Sequence, residues 1–120
     1  MDAKILVVDD EPAIVKVIQS MLMADGFKVI TAGSGNEAFD LAEKEAPDLI
    51  VSDIQMAEGD GIMLSQRIKT HPRLKSIPMI LLSALVSEET EGEGLQKGDC
   101  YMLKPFNADR IVKKVKEMLL

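Results

Sequence analysis

A doubly wound α/β fold is predicted by three features of the 120-residue chain. Short, continuous apolar runs (Ile5–Val8, Leu49–Val51 and Met79–Leu82) have the length of strands buried on both faces and are too short for helices. Between them lie segments whose apolar residues recur at helical spacing. The runs end in polar side chains: Asp9 after the first, Asp53 and Ser83 at the others. In an open α/β sheet the carboxyl ends of the strands form the edge where ligands bind.

The first strand, Lys4–Val8, stops abruptly at Asp9-Asp10-Glu11. Pro12 then suits the first turn of a helix, where its missing N–H costs nothing. Ile14, Ile18, Met21 and Leu22 make one apolar face of that helix, and Gly26 is its expected left-handed cap. Phe27–Ala32 is a strand of mixed character, expected near a sheet edge. After Gly33-Ser34-Gly35, a helix over Asn36–Glu45 turns Ala38, Leu41 and Ala42 inward until Pro47 closes it. Asp48–Asp53 is the central buried strand. A helix over Gly61–Thr70 follows, presenting Ile62, Leu64 and Ile68, and His71-Pro72 stops it. His71 is expected to be solvent-exposed.

Met79–Leu82 is the fourth strand. Residues 85–97 make a poor helix, because Gly92 and Gly94 each cost about 1 kcal/mol relative to Ala and Glu88, Glu89, Glu91 and Glu93 crowd like charges. Tyr101–Leu103 is the last strand. The final helix, Ala108–Leu119, buries Ile111, Val112, Val115, Met118 and Leu119 behind an Asn107 cap. Five strands alternating with five helices impose right-handed crossovers. The expected result is a (βα)5, flavodoxin-like three-layer sandwich around a five-stranded parallel sheet, forming one domain over residues 1–120.

Composition excludes several function classes. A net charge of −6 opposes non-specific nucleic-acid binding, and with no Trp and one Tyr there is no base-stacking platform. No apolar run approaches the ~18 residues of a membrane span, and no signal peptide is expected. A single cysteine, Cys100, allows no internal disulfide, which suits a cytoplasmic protein. The eight methionines read as adaptable core and surface filler.

The strand ends carry the chemistry. A parallel sheet brings Asp9, Asp10, Glu11, Asp53, Ser83 and Lys104 to one edge. Carboxylates held close repel one another unless a cation intervenes. Hard oxygen ligands with no His or Cys beside them suit Mg2+ or Mn2+. A divalent ion, an ammonium and a hydroxyl together suit a phosphoryl group that a carboxylate attacks in line. Taken alone, Asp9-Asp10-Glu11 is also what an acidic helix start looks like, and Lys104 a surface lysine.

Over essentially the whole chain the sequence resembles the receiver domain of two-component response regulators. The resemblance rests on Val7-Val8-Asp9-Asp10-Glu11-Pro12, Asp53-Ile54-Gln55-Met56 with Asp60-Gly61, Ser83-Ala84 and Lys104-Pro105-Phe106, in that order. It implies a phosphorylation-activated switch without external turnover. Asp53 would accept a phosphoryl group from the phosphohistidine of a sensor histidine kinase or phosphotransfer protein. Asp10, Asp53 and the backbone carbonyl of Gln55 would ligate Mg2+, with Asp9 holding a metal-bound water. Ser83 and Lys104 would contact the phosphoryl oxygens, with Lys104–Pro105 a cis peptide. Tyr101 would be the aromatic switch, although an edge-strand tyrosine packed on the last helix reads equally well. The 85–120 face would signal to an output domain or partner, or form a homodimer between the acidic stretch and Arg110, Lys113, Lys114 and Lys116.

Two features depart from the family pattern. Ala57 stands where proline is usual, and the Ser83–Lys104 interval is about one residue short, with Lys97-Gly98-Asp99 in place of the usual Gly-Ala pair. They keep open a phosphorylation-independent binding module on the same fold. A magnesium-dependent phosphatase with its nucleophile on the first strand fits less well, because the isolated acid, Asp53, lies on the third. A flavin site is disfavoured by the acidic loop after the first strand. A stand-alone regulator and a piece of a longer protein are both compatible with the chain.

Overall fold

The computed structural model describes residues 3–54, 61–83, 100–103 and 108–119. Five strands, β1 (Lys4–Val8), β2 (Lys28–Ala32), β3 (Leu49–Asp53), β4 (Met79–Ser83) and β5 (Cys100–Leu103), form one parallel sheet in the order β2-β1-β3-β4-β5. The described helices are α1 (Pro12–Ala24), α2 (Gly35–Glu45), α3 (Gly61–Thr70) and α4 (Ala108–Leu119). The expected helix over 85–97 and the Asn107 cap lie outside the described residues.

Alternation along the strands divides the core in two. Ile5, Val7, Leu49, Val51, Ile80 and Leu82 face α1 and α4, joining Ile18, Leu22, Ile111 and Val115. Leu6, Val8, Ile50, Met79 and Leu81 face α2 and α3, joining Ala38, Ala42, Leu64 and Ile68. With helices on both faces, every inner strand is apolar at successive positions, which explains the continuous runs. β2 is an edge strand as expected, with only Ala32 of its five residues fully buried.

Local signals set the helix ends. Pro12 occupies the first turn of α1. At its other end Gly26 takes φ 91°, its N–H donates to Met23 O at 3.0 Å, and Phe27 N–H donates to Leu22 O at 3.1 Å. This is the Schellman arrangement, completed by burial of both Phe27 and Leu22. Ser34 caps α2 by accepting from Glu37 N at 3.1 Å, while Glu37 Oε1 accepts from Gly33 N at 3.1 Å. That pattern, Ser followed by Glu three residues on, is a variant of the capping box. α2 ends with Ala46 in the left-handed region, φ 47°, just before Pro47, which disfavours a right-handed helical residue at that position.

One sequence expectation is corrected. His71 is not solvent-exposed: its side chain is 15% exposed and packs edge-on against Phe39, centroids 5.9 Å apart. Its Nδ1 accepts from Arg73 N at 3.0 Å and its Nε2 lies 3.2 Å from Glu43 Oε2. Arg67 covers the same Phe39 ring, 3.9 Å from its centroid. A polar clamp between α2 and α3 thus forms around one aromatic ring, from residues too far apart in sequence for their spacing to show it. The methionines are used as expected: Met79 and Met102 are buried, Met23 and Met63 exposed.

Candidate functional site

Asp9 is the residue after β1, and a local hydrogen bond fixes it. Its Oδ1 accepts from Glu11 N at 3.0 Å, the two-residue-on Asx pattern that starts a helix. Its own N–H donates to Ala32 O at 3.2 Å, tying the turn to β2. Asp9 is 3% exposed, whereas Asp10 beside it is open to solvent.

Asp53 ends β3, opposite Leu82 of β4, and is 6% exposed. The chain remains paired beyond it, with Ile54 N donating to Leu82 O at 3.0 Å. Ser52, fully buried, donates its hydroxyl to Asp53 O at 2.9 Å. Gly61 N, at the start of α3, donates to Ile54 O at 2.8 Å. Carboxylate oxygens of Asp9, Asp10 and Asp53 all lie within 4.8 Å of one another.

That spacing suits one hard cation. Two oxygens on opposite sides of a Mg2+ are about 4.2 Å apart, twice the usual bond length. A set within 4.8 Å therefore needs little closure, or a water in place of one direct ligand. The donors are all carboxylates, which favours Mg2+ or Mn2+ over zinc. A cleft of about 300 Å3 opens beside the acids, lined by Lys16, Gln19, Thr31 and Glu37 together with Asp9 and Asp10.

The remaining expected site residues are placed less fully. Ser83 closes β4 one position beyond the partner of Asp53, and Tyr101 pairs through its backbone with Leu81 in edge strand β5. Gln55 and Lys104 lie outside the described residues, as do Ala57 and Lys97-Gly98-Asp99. Lys104 directly follows Leu103, which is in register with Ser83. Nothing in the spacing of the chain marks Ser52 or Gly61 for a role at the site; only the packing reveals what Gly61 touches.

Fold and site together define a class: a small, doubly wound α/β domain with a carboxylate cluster on the carboxyl edge of its sheet. Residues 5–116 match the model of the response regulator receiver domain. PhoP of Bacillus subtilis, the alkaline phosphatase synthesis transcriptional regulatory protein, is 41% identical over 120 residues, covering 99% of this chain and 49% of PhoP. The polar-differentiation response regulator DivK of Brucella ovis is 32% identical over 121 residues, covering 99% of this chain and 98% of DivK. Among solved structures, the receiver domain of Francisella response regulator 1452 superposes with a TM-score of 0.87 at 34% identity, covering 98% of this chain and 97% of that one. Vibrio cholerae CheY4 gives 0.87 at 29%, covering 99% and 100%. The chain belongs to the receiver domain family of two-component response regulators. It spans about half the length of some curated relatives, such as PhoP, and nearly all of others, such as DivK.

Proposed function

We propose that this receiver domain is a Mg2+-dependent phospho-acceptor switch that takes a phosphoryl group onto Asp53 from the phosphohistidine of a sensor kinase or phosphotransfer protein. The observation that carries this reading is the gathering of Asp9, Asp10 and Asp53 at the carboxyl edge, with carboxylate oxygens within 4.8 Å. Bound there, a divalent cation supplies charge neutralisation for the entering phosphoryl oxygens. Asp10, Asp53 and the Gln55 carbonyl would hold it directly, and Asp9 through a water. An Asp53 oxygen attacks phosphorus in line, the P–N bond breaks, and the imidazole leaves with its electron pair and takes up a proton.

Ser83 and Lys104 would bind the phosphoryl oxygens once transferred. The roughly −1.5 to −2 charge gained at Asp53 would favour the arrangement in which Ser83 and its loop close on it. Tyr101 would turn inward, and the 85–120 face would be presented differently to an output domain or partner. The domain would then lose the phosphoryl group by its own hydrolysis. A homodimer through the 85–120 face would rest on charge complementarity; raised salt would weaken it, and sedimentation across a salt series that showed salt-insensitive dimers or monomers throughout would count against it. The domain is proposed to work in the cytoplasm, which its single cysteine suits; among the described residues no helix is long and apolar enough to cross a membrane.

The test is incubation with Mg2+ and acetyl phosphate followed by peptide mass spectrometry. An adduct on Asp53 that is absent in Asp53→Ala is expected. An adduct retained in Asp53→Ala would overturn the site assignment. No adduct on the wild-type chain would favour the phosphorylation-independent binding module.

A further inference from the structure

We infer that Asp53 is held in register by a backbone clamp, with Gly61 as its positioning residue and the Ser52 hydroxyl as its second jaw. The backbone of Ile54, the residue after Asp53, is gripped on both flanks. On the sheet side Ile54 N donates to Leu82 O at 3.0 Å; on the helix side Gly61 N donates to Ile54 O at 2.8 Å. Ser52 Oγ donates to the Asp53 carbonyl at 2.9 Å from a fully buried position.

Gly61 is required there for space and not for backbone conformation. Among the described glycines only Gly26 has a positive φ. Helix propensity alone would favour alanine at the start of α3. A Cβ at Gly61, however, would overlap the Asp53 carbonyl oxygen and stand 2.9 Å from Ile54 Cα and 3.1 Å from the Asp53 carbonyl carbon. All three are backbone atoms, so no rotamer change relieves the contact. Either α3 lifts, breaking the Gly61–Ile54 bond, or the Asp53 backbone shifts. A shift carries the Asp53 carboxylate away from Asp9 and Asp10, whose oxygens now lie within 4.8 Å of it. The clamp itself is made only of protein groups. Its effect on metal binding rests on the phospho-acceptor reading above.

The experiment compares Gly61→Ala, Ser52→Ala and, as a control deeper in α3, Ile68→Val. Amide hydrogen exchange is followed in the metal-free protein, and Mg2+ binding by NMR titration. Gly61→Ala is expected to speed exchange at Ile54 about tenfold relative to the β1 amides. It should also weaken Mg2+ binding about tenfold, as loss of a group that orients a metal ligand does. Ser52→Ala should shift both in the same direction by about threefold, since it removes one bond and adds no bulk. Ile68→Val should leave both unchanged relative to the other amides.

A folded Gly61→Ala with wild-type Ile54 exchange and wild-type Mg2+ affinity would overturn the clamp, as would equal effects from Ile68→Val. If Gly61→Ala does not fold, Ser52→Ala decides by the same two readouts, and no change in either overturns the proposal. A wild-type chain that binds no Mg2+ would defeat the metal reading, while Ile54 exchange would still decide the clamp.

Discussion

The loops after β1 and β3 each deliver a carboxylate to the same place, by opposite means. The Asp9 carboxylate is held from within its own turn, accepting from Glu11 N two residues away, while its N–H ties the turn to Ala32 of β2. Asp53 is held from outside through the next residue, whose N–H donates to Leu82 O on the neighbouring strand and whose carbonyl accepts from Gly61 N on the following helix. The first device is short-range and forms wherever the turn forms. The second exists only once β3, β4 and α3 are assembled. The backbone beside the acid proposed to be chemically modified is thus tied to both a neighbouring strand and the following helix, which links its geometry to the assembly of β3, β4 and α3.

Damage to the sheet should therefore disturb Asp53 before Asp9. Ile50, fully buried in the middle of β3, is the sharpest point of attack. Ile50→Ala should cost about 2–5 kcal/mol in urea unfolding. In the surviving native fraction, NMR shifts should spread along β3 to Ile54 and spare the Asp9–Glu11 turn. Equal disturbance at both loops would show that the turn after β1 is no more self-contained than the one after β3.

Asp10→Ala probes the cluster with both backbones intact. Mg2+ that binds only the native state stabilises it in proportion to the logarithm of its concentration. Millimolar Mg2+ should raise the thermal midpoint of the wild-type chain, and chelation should reverse the rise. Asp10→Ala should show little of it, and phosphorylation by acetyl phosphate should slow. An Mg2+ response in Asp10→Ala as large as wild type would remove that residue from the metal set.

A smaller effect is expected at the cap of α2, where the short-range device recurs. Ser34→Ala should lower stability by about 1 kcal/mol and leave the Mg2+ response unchanged. A loss above the usual range for caps would mean that Ser34 supports more than its own helix. The smallest effect belongs to Ser65, whose buried hydroxyl has no hydrogen-bond partner among the described residues. Ser65→Ala should be neutral or stabilising by up to about 1 kcal/mol, because burying an unpaired hydroxyl is unfavourable. A clear loss of stability would reveal a partner for that oxygen.

Most of the fold was legible because its signals are local or periodic. Apolar runs, helical faces, Pro12 and Gly26 each act within a few residues, and alternating strands and helices imply a parallel sheet covered on both sides. The five strands fall where the apolar runs placed them to within one residue: β2 and β3 begin one residue later, β5 and α2 one residue earlier, and β4 ends one residue later than expected. The Ser34 cap has a local signal, Ser followed by Glu three residues on, set within a glycine-flanked turn. The arrival of Asp9, Asp10 and Asp53 at one edge followed from topology alone.

What spacing in the chain could not supply were the contacts between distant segments. His71 looked like an exposed residue before a proline, yet Phe39 and Glu43 of α2 enclose it. Ser52 showed only as the strand residue before an aspartate, and Gly61 only as the first residue of a helix. By itself the sequence determined the strands, the helices and the edge where the acids meet, because burial pattern and chain direction fix these one segment at a time. Only the tertiary structure decided how firmly Asp53 is held there, because that depends on the distance between a helix start and a strand end, which no single segment encodes.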